Sequence, residues 1–420
     1  MFCLRQGSKQ ILVKSREYNR RNLWRSIVSK QKQHTHTTHK QSVRPPFECI
    51  ALLLQGGGAL GAYQCGVYEA LAEAHLCPDW VAGISIGAIN SAIIAGNTPE
   101  TRVVKLRQFW EKITSNPIWN SLGGFDLPPM FNGDLTHTIL NRISAGLALA
   151  SGTHGFFEPR FPSPWLHESG APGAISYYDT SSLKATLEEF VDFDLLNQGM
   201  IHLSIGAVNI RNGNFVYFDT QTHTITPEHV MASGALPPGF PPIEIDGEFY
   251  WDGGLVSNTP LEWVFYSKKR EDTLAFQVDL WSARGHLPRD MAEVLTRQKE
   301  IQFSSRTRAA TDRFKHAQRM RHTFSQLYKK LPEDLKKSPE AKILAAATNN
   351  KVYNIAHLIY HAQNYEGDSK DYEFSRASME EHWKAGYSDT VHTLRHPEVL
   401  ERPTNHEGVF IFDIAEEGCK

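Results

Sequence analysis

Trp80-Val81-Ala82-Gly83-Ile84-Ser85-Ile86-Gly87-Ala88-Ile89-Asn90-Ser91-Ala92-Ile93-Ile94-Ala95-Gly96-Asn97 is the stretch on which the fold turns. Its first five residues read as a strand. From Ile86 to Ala95 nearly every residue is apolar, and Gly96-Asn97 with Pro99 beyond closes a helix. A helix that is apolar all round has to be buried. Ser85 therefore sits on a turn between a strand and a buried helix, feeding the middle of a domain.

The same grammar stands just upstream. Cys49-Ile50-Ala51-Leu52-Leu53-Leu54 is an unbroken apolar run, suited to a strand covered on both faces. It ends in Gln55-Gly56-Gly57-Gly58, after which Tyr63, Val67, Leu71 and Ala74 recur at helical spacing. A further amphipathic helix is predicted over 101–113. Downstream, Ile201–Ile210 and Phe215–Asp219 read as a hairpin, Pro227–Ala232 opens a short helix, and Leu274–Trp281 is one more buried strand. Beyond about 288 the chain turns helical and charged, ending in a strand-like Val409–Phe412. The alternation predicts an α/β fold: a mostly parallel sheet flanked by helices, with a helical C-terminal extension. The expected organisation is a basic arm over 1–46, a catalytic domain over 47–285 and the extension over 286–420. In such sheets sites form at the carboxyl ends of the strands, where the glycine turn and Ser85 both fall.

Gly83-x-Ser85-x-Gly87 has a physical reason. A nucleophile on a tight strand-to-helix turn needs small residues two before and two after, and the helix N-terminus then favours developing negative charge at its Oγ. The same serine could serve only as a helix N-cap. Gly56-Gly57-Gly58-Ala59-Leu60-Gly61 fits both a dinucleotide fingerprint and an oxyanion loop of backbone N–H groups. A dinucleotide site needs an acid at the end of the second strand, but Asp79 precedes that strand. The oxyanion reading is therefore preferred over the dinucleotide one. Trp251-Asp252-Gly253-Gly254 sets a carboxylate in a glycine turn, a weak signal alone, yet a serine hydroxyl needs a base. None of the 19 histidines stands in a recognisable triad context; His202 and His229 read as ordinary core or surface residues.

Gly56-Gly57-Gly58-x-x-Gly61, Gly83-x-Ser85-x-Gly87 and Asp252-Gly253-Gly254, in that order, resemble the patatin-like phospholipases. The block Ala232-Ser233-Gly234-Ala235-Leu236-Pro237-Pro238 resembles the segment that precedes that family's Asp-Gly turn. The likeness covers roughly 48–282. It implies the family's three-layer fold and a Ser–Asp dyad without histidine, cofactor or metal. Ser85 would attack an ester carbonyl, Asp252 would take the hydroxyl proton, and N–H groups of Gly56–Gly58 would hold the oxyanion. It also implies a lipid substrate, of phospholipase A or lysophospholipase type. Many members carry Arg or Lys where this chain has Leu60. Tyr372-Glu373-Phe374-Ser375-Arg376 through Gly386-Tyr387 resembles an extension found on a subset of bacterial patatin-like proteins.

Composition narrows the other classes. A formal net charge of −2 over 420 residues argues against nucleic acid as a partner. Residues 1–44 hold eleven Lys/Arg and one acid, a net +10, leaving 33 basic against 45 acidic residues elsewhere, or −12. The arm is a solvated tail or an attractor for an anionic membrane surface. No apolar run of 7–15 residues follows it, so no secretory signal is expected; the sequence leaves the compartment open, with the cytoplasm or the periphery of a membrane as the expectation. No run of 18 apolar residues exists, so no transmembrane helix is predicted. Cys3, Cys49, Cys65, Cys77 and Cys419 are odd in number without a CxxC, which makes a disulfide framework or zinc site improbable. Arg306, Arg308, Arg313, Lys315, Arg319 and Arg321 form a basic helix interleaved with Phe314, Met320, Phe324 and Leu327, either packed on the domain or docked on lipid headgroups. The stretch 144–177, rich in Gly, Pro and aromatics, reads as a long greasy loop, a lid or acyl-chain surface. The alternatives are a thioesterase or short-polyester esterase, a nucleotide-binding protein using Gly56–Gly61, and a silent scaffold recruiting partners through the C-terminal helices.

Overall fold

The structure, a computed structural model, describes residues 38–115, 134–267, 269–362, 366–367, 369–405 and 407–414; for 134–140 and 305–308 it describes the backbone alone. Most of the basic arm, Cys3, Cys419 and the side chains of Arg306 and Arg308 lie outside the described residues. The strands are β1 Cys49–Leu54, β2 Trp80–Ile84, β3 Glu158–Pro159, β4 Tyr178–Asp179, β5 His202–Asn209, β6 Phe215–Asp219, β7 Ile243–Ile245, β8 Glu248–Asp252, β9 Thr273–Asp279, β10 Tyr353–Ile359 and β11 Val409–Phe412. The helices are α1 Ala62–Glu73, α2 Ile86–Ala95, α3 Arg102–Ile113, α4 Asp134–Ser151, α5 Ser181–Phe190, α6 Phe193–Asn197, α7 Pro227–Gly234, α8 Leu261–Phe265, α9 Met291–Lys329, α10 Pro339–Ala347, α11 Arg376–Leu394 and α12 Pro397–Leu400.

The main sheet runs β11-β10-β9-β1-β2-β5-β8-β7, with β6 also on β5. It is parallel from β11 through β5, and β6, β7 and β8 are antiparallel additions. The unbroken apolar run of β1 has a simple cause: alternate residues serve two cores. Ile50, Leu52 and Leu54 join Leu71, Ile89 and Trp110 on one face. Ala51 and Leu53 join Leu261, Phe265 and Phe314 on the other. This is the three-layer α/β arrangement expected, and every residue of α2 is buried, as its lack of a polar face requires.

The C-terminal third is largely helical, yet it also extends the sheet. β10 pairs with β9 from Tyr353↔Thr273 to Ile359↔Asp279, and β11 pairs with β10. One sheet therefore spans residues on both sides of 285. α11 packs along α1, where Tyr63 donates to Asp389 (2.8 Å) and Tyr387 donates to Glu73 (2.9 Å). In the basic part of α9 Phe314 packs inward, whereas Met320 and Leu327 are exposed; the solvent-facing Arg313 pairs with Glu262 (2.5 Å) and Lys315 with Glu407 (3.4 Å). These cations already have acidic partners within the fold.

The stretch 144–177 departs from the loop reading. Through Ser151 it is the end of α4, with Ala145 and Ala148 buried; Gly146 among small residues hid a helix that packs closely. Phe156 and Phe157 are buried against Phe240 and Phe374. Phe161, Trp165 and Leu166 are exposed at 99%, 83% and 76%. Cys49 and Cys65 are buried free thiols and Cys77 is exposed. Among the described residues no helix is long and apolar enough to cross a membrane.

The α1–α11 crossing sets a sharp expectation. A Cβ on Gly66 would lie 1.9 Å from the Trp383 carbonyl oxygen, and one on Gly386 would lie 2.0 Å from that of Tyr63. Both obstacles are backbone, so one methyl must push the helices apart. Gly66→Ala and Gly386→Ala should each lose about 2 kcal/mol or more in urea unfolding, the upper part of the overpacking range. Unchanged midpoints for both would contradict this crossing.

Candidate active site

Two strands meet head to head on β5. β2 runs parallel to it and ends with Ile84 opposite Gly206. β8 runs antiparallel and ends with Asp252 opposite Ala207, the next residue along. The residue after β2 is Ser85, so the hydroxyl and the carboxylate are delivered to one place by sheet register. A Cβ on Gly253 would lie 3.1 Å from Ile84 Cγ2 and 2.7 Å from the Gly206 carbonyl oxygen, which shows how closely the two strand ends approach.

Ser85 has φ 57° and ψ −127°, a strained conformation for a residue with a side chain, at the N-cap of α2. The glycines around it are dictated by contact. A Cβ on Gly83 would sit 2.2 Å from the Gly87 carbonyl oxygen, and one on Gly87 would sit 2.4 Å from that of Leu54. The turn is held from outside by Ser233 of α7: the Ser85 N–H donates to Ser233 Oγ (2.9 Å), and that hydroxyl donates to the Gly206 carbonyl (2.6 Å). Ser85 keeps partial exposure.

Asp252 is 2% exposed. Burial pushes its carboxyl up to about 7, against hydrogen bonds from the Ser85 hydroxyl and the Gly254 N–H that favour the charged form. The Gly254 N–H lies 2.7 Å from Oδ1, and the Asp252 N–H donates to the Ala235 carbonyl (3.0 Å). A carboxylate that exchanges its proton near neutral pH, bonded to a hydroxyl on a strained turn, is equipped for proton transfer.

The glycine loop lies against this pair: a Cβ on Gly56 would be 2.9 Å from Ser85 Cβ. The Gly56 carbonyl accepts from Asn258 Nδ2 and Trp281 Nε1, both at 3.0 Å. Because the peptide is planar and trans, pinning that oxygen turns the Gly57 N–H the opposite way. The N–H groups of Gly56, Gly57 and Gly58 have no partner among the described residues. Gln55 anchors the loop further. Its Oε1 accepts from the Leu280 N–H (2.7 Å), and its carbonyl accepts from Gln64 (2.6 Å). A Cβ on Gly61 would meet Ile86 Cγ1 at 2.5 Å, so this glycine lets the loop dock on α2. Leu60 is wholly buried and directs no polar group at the site.

Other candidates fall elsewhere. Asp79 accepts from the Ile50 N–H (2.7 Å) and pairs with Arg44, at the end of β2 away from Ser85. His202 stacks on Trp80 (4.1 Å) and pairs with Asp219 (2.7 Å), roughly 16 Å of strand from Ser85. His229 closes the capping box of α7 with Thr226. Among the described residues no group of His, Cys, Asp and Glu is arranged to hold a metal ion. Ser233 stood in the block ahead of the Asp-Gly turn without a role; Asn258 and Trp281 carried no sequence signal.

A family model described as patatin-like phospholipase matches residues 52–264, and a second, described as patatin phospholipase, matches 301–406. The chain is 24% identical over 242 residues to lysophospholipase NTE1 of Candida glabrata, covering 57% of this chain and 11% of that protein. It is 40% identical over 67 residues to patatin-like phospholipase domain-containing protein 7 of Rattus norvegicus, covering 16% of this chain and 5% of that one. These matches thus span only a small part of the relatives' own length. VipD from Legionella pneumophila overlays loosely, with a TM-score of 0.34 at 15% identity, over 93% of this chain and 78% of that one.

Burial of Asp252 has a consequence for stability. Its carboxyl moves from 3.8 to about 7 on folding. As pH rises between these values the unfolded form ionises first, so stability falls with pH and then levels off. Asp252→Asn does not titrate. The variant should be more stable than the wild type by a few kcal/mol at pH 8, on the order of the shift converted to energy, with the gap closing toward pH 4. Denaturant unfolding across pH 4–8 measures it; a gap independent of pH would mean the carboxyl is not buried as described.

Proposed function

From the premise that the chain belongs to the patatin-like phospholipase family, we propose that it is a serine acyl hydrolase cleaving lipid acyl esters, of phospholipase A or lysophospholipase type. The observation that carries this reading is the strained Ser85 and the buried Asp252 brought together by the register of β2 and β8 on β5, with the Gly56–Gly58 loop against them. Ser85 Oγ attacks the ester carbonyl while Asp252 takes its proton. The carbonyl oxygen gains the negative charge, and the N–H groups of Gly56–Gly58 receive it. Asp252 then passes the proton to the departing lysolipid or alcohol, and the serine carries the acyl group. Water attacks next, giving one proton to Asp252. The tetrahedral intermediate collapses, the fatty acid leaves, and the proton returns to Ser85 Oγ. No histidine is needed, because burial already sets the Asp252 carboxyl near neutrality.

The lipid part of the reading rests on the exposed aromatic segment. Phe161, Trp165 and Leu166 are large, apolar and solvent-facing. Their segment is fastened beside the site: the N–H groups of Tyr177 and Tyr178 donate to the Pro238 and Gly239 carbonyls, 3.1 and 2.9 Å away, on the chain that leads from Ser233 toward Asp252.

A fluorophosphonate probe should form an adduct on Ser85, located by peptide mapping. Ser85→Ala should lose it, and Asp252→Asn should form it at least tenfold more slowly, the low end for loss of a general base. Absence of any adduct on the folded wild type would remove the nucleophile from this account.

Phe161→Ser with Trp165→Ser should lower hydrolysis of phospholipid vesicles by about tenfold while a short soluble ester is turned over at the wild-type rate, as expected when two anchoring side chains are lost from an interface. Equal loss on both substrates would argue against a lipid-contacting face. A wild type active only on the soluble ester would shift the assignment to a short-chain esterase or thioesterase.

A further inference from the structure

We propose that the segment Ser369–Phe374, in the C-terminal third, is a working part of the active site: a strap that holds the Gly56–Ala59 loop in the conformation that presents its N–H groups. This rests on the acyl-hydrolase reading above, and gives the extension a role in that chemistry.

The strap touches the loop directly. The Asp371 carbonyl accepts from the Ala59 N–H at 2.8 Å. It also fills the space where a side chain on Gly58 would go, since a Cβ there would lie 2.1 Å from that oxygen. Gly58 has φ +56°, so the glycine is demanded both by backbone conformation and by the strap. A second contact runs through Trp281, whose Nε1 holds the Gly56 carbonyl and whose ring carries Lys370 Nζ at 5.2 Å from its centroid. The loop is thus gripped at residue 56 and residue 59, on either side of the N–H groups left without partners.

Two crossed ion pairs fix the strap on α9. Lys299 reaches the Asp371 carboxylate at 2.7 and 3.0 Å, and Lys370 reaches Glu300 at 2.9 Å. The neighbours 299 and 300 have opposite charge, and so do 370 and 371. A slip of the strap by one residue would set like charges together, so the pairs encode register as well as attraction. Lys370 is 3% exposed at its side chain. A charge buried that deeply gives little net stability, and fixing a position is the better account of its presence.

Oxyanion donors work only when held in place before charge develops, and three successive glycines cannot hold themselves. Sheet register sets Ser85 and Asp252 without the strap. The strap should therefore govern stabilisation of the oxyanion and leave the nucleophile and ground-state binding alone.

Lys299→Glu and Asp371→Lys each break one pair, Lys299→Met does so more mildly, and the double variant Lys299→Glu with Asp371→Lys restores it in reverse. For each, kcat and KM are measured on p-nitrophenyl butyrate, and hydrogen exchange is followed at the Ala59 amide. Single variants should lose about tenfold in kcat, a fraction of the loss seen when an oxyanion donor is removed outright. KM should stay within twofold, Ala59 should exchange faster, and the double variant should recover both kcat and protection. Wild-type kcat and Ala59 protection in well-folded single variants would overturn the proposal. So would a kcat loss that tracks only the unfolded fraction, with Ala59 exchange unchanged relative to the rest of the sheet. If the wild type neither turns over ester nor labels at Ser85, the hydrolase reading fails, and Ala59 exchange still decides whether the strap holds the loop.

Discussion

The structure turns on a carboxylate that has been taken out of water and given a hydroxyl for a partner. Asp252 ends an antiparallel strand inside the sheet, at 2% exposure, and an isolated charge there would be costly. Three features reduce that cost: a carboxyl able to hold its proton up to about pH 7, the Gly254 N–H, and the Ser85 hydroxyl. Each needs a specific backbone course. Gly254 must turn tightly just after the strand. Ser85 must stand on a left-handed turn at the head of a buried helix. Both strand ends must converge on Gly206 and Ala207 of β5.

The surrounding polar groups keep this arrangement from relaxing. Ser233 ties the Ser85 N–H to β5, and Asn258 with Trp281 ties the Gly56 carbonyl. Deeper in, Asn90 bridges the Gly61 carbonyl and Gln64 while accepting from Trp110 at 3.0 Å. Losing one member of such a network would leave buried groups unpaired at about 1–3 kcal/mol each. The apolar cores above and below the sheet supply bulk stability, and these few hydrogen bonds convert it into positional accuracy.

Much of this was legible before the fold was seen, because it depends on local constraint. Gly83 and Gly87 announce a turn with no room for side chains, and the polar-free α2 announces burial. β1 announces a strand serving two cores. The Asp-Gly-Gly turn announces only a carboxylate beside glycines; that it ends a strand, β8, comes from the structure. What stayed hidden depends on long-range pairing. Asn258 and Trp281 meet Gly56 across more than 200 residues, and no periodicity records that. β10 was hidden because Asn354 and His357 interrupt the apolar run of Tyr353–Ile359, which follows a long charged helix. The end of α4 read as loop because Gly146 and small residues suggest flexibility, when Ala145 and Ala148 in fact let the helix pack closely.

Leu60 connects these levels. The resemblance to the family suggests a basic residue there, near the glycine loop, and a cation would add positive potential beside a developing oxyanion. In this chain the position is an apolar side chain buried in the core under α1 and α2. Any stabilisation of negative charge at the loop then falls to oriented backbone dipoles, whose field depends on direction far more steeply than that of a mobile cation. A site relying on dipoles needs a stiffer frame than one relying on a nearby charge. Such a frame is present: the loop is bonded to β9 through Gln55, to the chain after β8 through Asn258, and to the C-terminal third through Asp371. Three distant parts of the chain converge on the five residues Gln55–Ala59, and that convergence gives a physical reason for the sheet to continue into β10 and β11 rather than end at β9.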